Sequence, residues 1–211
     1  MDAKTRANRI LKLLLKNYPG ERTALKYSGP FQLLVSVILS AQCTDKRVNI
    51  VTKTLFKKYK TAKDFAKADI KKLEQEIRST GFYRNKARNI RAAAQIVVKD
   101  FSGKTPDTME ELLTLPGVAR KTANVVLSAA FKKNEGIAID THCIRLTQRW
   151  KLTKNRDPVK IEQDVMKLIP RKNWGTFSFK TIKHGREFCY ARKPNCKGCF
   201  LNKICPSAFK Q

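Results

Sequence analysis

The stretch that decides the fold is Leu115-Pro116-Gly117-Val118-Ala119-Arg120-Lys121-Thr122-Ala123-Asn124. Pro116 and Gly117 are the residue types a tight turn needs. Apolar residues recur at helical spacing on both sides, which predicts one helix over 109–114 and another over 119–131. A helix that starts straight out of a turn leaves its first backbone N–H groups without intrahelical partners. Those groups and the positive end of the helix dipole suit a phosphate oxygen. A hairpin of this kind, with Pro116 shaping the turn and Gly117, Val118, Ala119 and Arg120 following it, would hold a nucleic-acid backbone without reading its bases. The same residues also fit an ordinary corner between two helices, so the stretch alone does not separate ligand site from joint.

Charge tips that balance. The 211 residues include 45 Lys and Arg against 17 Asp and Glu, a formal net charge of +28. Like charges repel, so such a surplus calls for a polyanion, most often nucleic acid. Hydrophobic residues make up 42% of the chain, enough for the core of one large domain or two small ones. No apolar run reaches the roughly 18 residues a membrane span requires. Lys12 and Lys16 interrupt the apolar run near the start, which argues against a secretory signal. Instead Ile10, Leu11, Leu14, Leu15 and Tyr18 recur at helical spacing, as in a docking helix whose partner the sequence leaves open. The expected location is the cytoplasm, at the nucleoid in a prokaryote, where thiols stay reduced.

Working outward, the chain is expected to be all-α. Helical patterns fall near 2–17, 30–42, 46–58, 70–79, 84–99, 109–114, 119–131, 141–150, 158–168 and 174–189. Thr108 with Glu111 has the spacing of a capping box, and Asp157-Pro158 that of an N-cap with a first-turn proline. Gly81 suits a helix end. The polar loop Lys132-Lys133-Asn134-Glu135-Gly136 is a candidate crossover between two parts of the chain.

Two residues carry candidate chemistry. Lys121 falls in the first turn of its helix, where a cation meets the positive helix end and is locally unfavourable. A neutral amine is a nucleophile able to form a Schiff base; a charged one would simply touch phosphate, and the residues alone leave both open. Asp140 closes the apolar approach Ile137-Ala138-Ile139 and opens the next helix. It is either an ordinary N-cap or a carboxylate that moves a proton and steadies a developing cation. His142 and His184, the only histidines, read as structural hydrogen-bonding groups.

Cys189, Cys196, Cys199 and Cys205 follow the pattern C-x6-C-x2-C-x5-C. In a reducing compartment four clustered thiolates suit one zinc ion or one iron–sulfur cluster, with no open ligand position for catalysis. Arg186, Arg192, Lys193, Lys197 and Lys203 would offset the cluster's negative charge and present cations to DNA. Cys43 and Cys143 read as small core residues on helices.

Ser40-Ala41-Gln42-Cys43-Thr44-Asp45, the hairpin stretch, Asp140-Thr141-His142 and the four-cysteine spacing, in that order along the chain, resemble the endonuclease III family of helix-hairpin-helix DNA glycosylases over Ile10 to Cys205. The resemblance implies two helical lobes flanking a DNA groove: a six-helix bundle at 23–133, and a second lobe of 1–22 with 134–211. It implies a [4Fe-4S] cluster rather than zinc on Cys189, Cys196, Cys199 and Cys205. Lys121 would be the nucleophile and Asp140 its acidic partner, in an enzyme that excises oxidised pyrimidines and nicks the strand by β-elimination. Gln42 would enter the space left by the flipped nucleotide, and Phe82 would be the apolar wedge, where the family more usually has leucine. Ala119 replaces a hairpin glycine, still small enough for close phosphate approach. The implied partner is double-stranded DNA holding damaged bases or abasic sites, bound by a monomer away from membranes. The alternatives are a monofunctional thymine or uracil mismatch glycosylase, a non-catalytic iron–sulfur DNA-binding protein, and a zinc-stapled RNA-binding module.

Overall fold

The computed structural model describes residues 1–20 and 23–210, and every structured element among them is helical or a turn. The helices are α1 (Ala3–Asn17), α2 (Pro30–Leu39), α3 (Asp45–Lys58), α4 (Ala62–Ala66), α5 (Ile70–Glu76), α6 (Tyr83–Asp100), α7 (Met109–Leu113), α8 (Arg120–Ala130), α9 (Thr141–Arg149), α10 (Pro158–Leu168) and α11 (Trp174–Glu187). The chain divides into two compact units, Thr23–Lys133 and Met1–Arg22 with Asn134–Gln211. The lobe boundary expected after residue 22 adjoins Glu21 and Arg22, which lie outside the described residues, as does Gln211 at the far end. No helix among the described residues is long and apolar enough to cross a membrane.

The unit Thr23–Lys133 is built around α2. Phe31 and every residue from Leu33 to Leu39 are buried, and a helix apolar all round belongs at the centre of a bundle. It packs against α3, α6 and α8, while α4 and α5 pack on α6. Thr61 and Asp64 cap α4 reciprocally, the Thr61 hydroxyl accepting from the Asp64 N–H and the carboxylate accepting from the Thr61 N–H. This helix is absent from the expected segments, although Thr61-x-x-Asp64 is a cap signal. α2 and α5 end earlier than expected. After Leu39 the chain turns through Ser40 to Cys43, and after Glu76 it tightens into a 3-10 turn at Arg78–Thr80.

In the other unit α1 lays Ala7, Ile10, Leu11 and Leu14 against a core that includes Trp150, Ile161, Val165 and Phe177. Its neighbours are α10 and α11, which supply the partner its apolar face needed. Each fully buried Leu or Ile contributes about 1.5–3 kcal/mol. Asp157 caps α10 by accepting from the Lys160 N–H at 2.9 Å, with Pro158 in the first turn.

Candidate active site and nucleic-acid interface

The hairpin forms from local signals. The Thr108 hydroxyl starts α7 by accepting from the Glu111 N–H, and donates to the Glu111 carboxylate at 2.8 Å. Leu115 and Val118 are buried and anchor the turn, whose Val118 N–H donates to the Leu115 carbonyl at 3.1 Å. Gly117 has φ +79°, a conformation L side chains rarely adopt. A Cβ there would also stand 2.9 Å from the Asn89 Cβ, so the turn rests directly on α6. α8 then begins at Ala119 with no side-chain cap and no acid in its first turn. Ala119, Arg120 and Lys121 are all exposed. Most helices here close their first turn with an Asp or Thr side chain, as at Asp2, Thr44, Asp69 and Asp157. A start without that cap leaves donors for an anion from outside.

Gln42 and Phe82 lie in the same unit, each at a bend in the chain. Gln42 has φ 53° and Phe82 φ 47°, both left-handed without being glycine. Phe82 is 62% exposed and N-caps α6 without a side-chain hydrogen bond. Gly81 before it, at φ 70° and ψ 158°, occupies a region essentially reserved for glycine. Strained backbone and an exposed large aromatic ring are costs that packing does not explain, and they collect at sites of function.

Asp140 performs the common task. Its Oδ1 accepts from the Cys143 N–H at 2.8 Å and caps α9, leaving the carboxylate half-buried. The cap engages one of its two oxygens, so it does not preclude a chemical role for the other. The histidines are structural as expected. His142 Nδ1 sits 3.0 Å from Arg145 Nη2, and buried His184 lies between the Tyr18 hydroxyl at 3.3 Å and Cys199 Sγ at 3.4 Å. Burial pushes the His184 imidazole down to about 4.

The expectation of a [4Fe-4S] cluster, and of the C-terminal segment as a cluster loop, is corrected. Cys189, Cys196, Cys199 and Cys205 line one cavity with Trp150, His184 and Phe188. Yet among the described residues no group of three or more His, Cys, Asp or Glu side chains is disposed to hold a metal ion. Close spacing in sequence brings sulfurs near one another; ligation further requires thiolates that converge on one centre. Here Cys199 Sγ faces His184 and the Leu201 N–H, and Cys189 Sγ accepts from Arg149 Nη1 at 3.2 Å. Burial pushes the Cys199 thiol up to about 11 and raises Cys205 as well. Arginines from α9 visibly secure the segment instead. Arg145 donates to the Gly185 and Cys189 carbonyls, and Arg149 to those of Tyr190 and Ala191 at 2.7 and 3.0 Å. Of the remaining cysteines, Cys143 is a buried core residue on α9, whereas Cys43 is half-buried in the turn before α3 rather than on a helix.

Sequence reasoning missed Lys86. It belongs to the buried face of α6 with Ala87, Ile90, Ala93, Ala94 and Val97, and only 4% of it is exposed. Its place one turn before Ile90 on an apolar stripe was the available signal.

Residues 35–171 match the model of the HhH-GPD superfamily base excision DNA repair proteins, a class defined by a helical hairpin of the kind described above. The endonuclease III of Synechocystis sp. is 56% identical over 205 residues, 97% of this chain and 94% of that protein. A solved non-covalent endonuclease III–DNA complex matches with a TM-score of 0.93 at 41% identity, covering 100% of this chain and 98% of that one. A trapped endonuclease III–DNA covalent intermediate, an estranged-adenine complex, matches with the same TM-score and identity, covering 100% and 99%. The chain belongs to the endonuclease III family.

Proposed function

We propose that Lys121 is the attacking amine and Asp140 its acidic partner in an enzyme that removes oxidised pyrimidines from duplex DNA and then nicks the strand. The chain is a bifunctional DNA glycosylase and abasic-site lyase, and its partner is double-stranded DNA. The observation that carries the residue assignment is an exposed lysine in the first turn of a helix that has neither cap nor acid. The covalent endonuclease III–DNA intermediate among its structural relatives supports it.

The sugar C1′ is hidden inside the duplex, so the damaged nucleotide must first leave the stack. The hairpin, from Pro116 to Arg120, holds phosphate through main-chain N–H groups and the Arg120 guanidinium. Phe82 separates the neighbouring bases and Gln42 occupies the space left behind. The Lys121 Nζ lone pair then forms a bond to C1′, and the glycosidic bond breaks with its electron pair on the base, which takes a proton. Asp140 steadies the positive charge on the sugar and accepts the amine proton. Opening of the sugar ring gives an imine between Nζ and C1′. Loss of a C2′ proton expels the 3′ phosphate, and water hydrolyses the imine to free the lysine. The proposed setting is the cytoplasm, at the nucleoid in a prokaryotic cell.

Borohydride tests the assignment, because it reduces an imine to a permanent cross-link. The intact protein should be trapped on duplex holding an oxidised thymine or an abasic site. Lys121→Gln should bind the same DNA with no cross-link above background. A cross-link formed by Lys121→Gln at the normal rate would assign the nucleophile to another amine.

A further inference from the structure

Lys86 is a buried cation whose visible partners are two main-chain carbonyls. Its Nζ donates to the Leu39 carbonyl at 2.8 Å and to the Thr80 carbonyl at 2.7 Å. Both carbonyls close a helical element: Leu39 is the last residue of α2 and Thr80 the last of the 3-10 turn. Helix ends present unpaired carbonyls and partial negative charge, so an ammonium group between two of them is well placed. A lysine is almost never fully buried without such partners.

The chain leaving Leu39 bends through Gln42, and the chain leaving Thr80 bends through Gly81 and Phe82. Both bends carry left-handed, non-glycine residues, a conformation that persists only where the surroundings over-determine it. Lys86 lies in the first turn of α6, directly after Phe82, and its own N–H donates to the Phe82 carbonyl at 3.1 Å. Three residues later on α6, Asn89 supports the hairpin glycine. One helix thus braces both bends and the phosphate-binding turn.

We propose that Lys86 is a positioning residue that clamps the Gln42 and Phe82 bends to each other, so that the two side chains enter the duplex as one device. This rests on the reading of Gln42 and Phe82 given above. Lys86 touches neither DNA nor the reacting atoms, and its effect runs through the two carbonyls. Opening a stacked, paired nucleotide should need the clamp more than opening an abasic site, which has no base to extrude.

The test is a double-mutant cycle on base removal from an oxidised-thymine duplex, using Gln42→Ala, Phe82→Ala and both together. The cycle is run in the parent and again with Lys86→Met, which keeps chain length and loses the charge. In the parent the two bends should be coupled by roughly fivefold or more, within the range for residues that act together. With Lys86→Met the coupling should vanish and base removal should fall about tenfold. Strand cleavage at a preformed abasic site should stay within about threefold, which also shows that the variant is folded. Gln42→Ala and Phe82→Ala variants that leave the parent's base removal unchanged would sink the underlying reading. Coupling that survives Lys86→Met, or equal losses on both substrates, would overturn the clamp alone. Should Lys86→Met fail to fold, Lys86→Arg decides, since it restores a cation with several donors. Coupling retained in Lys86→Arg supports the clamp, and coupling lost from a folded Lys86→Arg protein overturns it.

Discussion

Helices α8 and α9 both begin at a motif that resembles the family's, and they begin in opposite ways. α8 starts at Ala119 with no side-chain cap, and its first turn exposes Arg120 and Lys121. α9 starts at Asp140, whose carboxylate closes the first turn, and its arginines direct their donors to carbonyls of the C-terminal segment. A net charge of +28 therefore contains two kinds of cation. Those of α8 stand at the surface beside open backbone donors, where salt should govern them. Those of α9 belong to the architecture of their own unit, where stability should reveal them.

The largest effect expected from this contrast lies at Asp140. Asp140→Asn keeps an oxygen for the Cys143 N–H but loses the charge, so base removal should slow by roughly 10²-fold with little change in melting temperature. Asp140→Ala removes the cap as well and should cost about 1 kcal/mol of stability on top. Rates and thermal melts of the two variants separate the roles, and an Asn variant at the parental rate would leave Asp140 as a cap only.

Next in size is a pH effect confined to the unit that contains α9. The His184 imidazole, buried beneath Tyr18 and Cys199, is pushed down to about 4. An unfolded histidine titrates near 6.5. Above that value both states are neutral and the full stability is present. Between about 6.5 and 4 the unfolded chain takes a proton that the folded one refuses, so stability falls as pH falls. Urea unfolding should show a loss of about 2 kcal/mol between pH 7 and pH 5. His184→Gln should flatten that slope, and an unchanged slope would point to other groups.

These contrasts also show which parts of the molecule a sequence can disclose. The hairpin was legible because its causes are local: a proline and glycine make the turn, buried Leu115 and Val118 hold it, and the next helix follows at once. Asp140 and Asp157 were legible for the same reason, each capping the helix it adjoins. The four cysteines lie close in sequence, but ligation depends on how sulfurs converge, and local spacing did not determine that among the described residues. The [4Fe-4S] expectation failed on that difference. Lys86 left only its place on an apolar stripe as a signal, because its meaning comes from two main-chain carbonyls, one of them on another helix far back in the chain. α4 was missed for a simpler reason: five residues are too few to show a period, although Thr61 and Asp64 marked its start.

A smaller effect is expected at the hairpin itself. Gly117→Ala places a Cβ 2.9 Å from the Asn89 Cβ and holds alanine at φ +79°. The turn must move off α6, which tilts the open N–H groups away from phosphate. Affinity for an abasic-site duplex should fall about tenfold, the scale of one or two lost charge-assisted hydrogen bonds. A wild-type affinity for this variant would remove the turn from the interface.

The smallest effect gives the sharpest comparison, because it sets an arginine of α8 against one of α9. Arg120 is exposed beside the uncapped helix start, whereas Arg149 donates to the Tyr190 and Ala191 carbonyls and to Cys189 Sγ. Each phosphate neutralised releases condensed counterions, so the logarithm of affinity falls against the logarithm of salt with a slope of about −0.9 per contact. Arg120→Gln should therefore make the slope shallower by about 1 while leaving the melting temperature nearly unchanged. Arg149→Gln carries the same change in net charge and should leave the slope alone. It should instead lower thermal stability by about 1 kcal/mol, because the Tyr190 and Ala191 carbonyls and Cys189 Sγ lose their donor. Equal slopes for the two variants would mean that net charge, rather than placement, governs DNA binding, and the distinction between the two helices would fail. A reversal, with the slope moving for Arg149→Gln alone, would shift the phosphate contact to α9. Binding isotherms at four or five salt concentrations, with melts of both variants, are sufficient to decide.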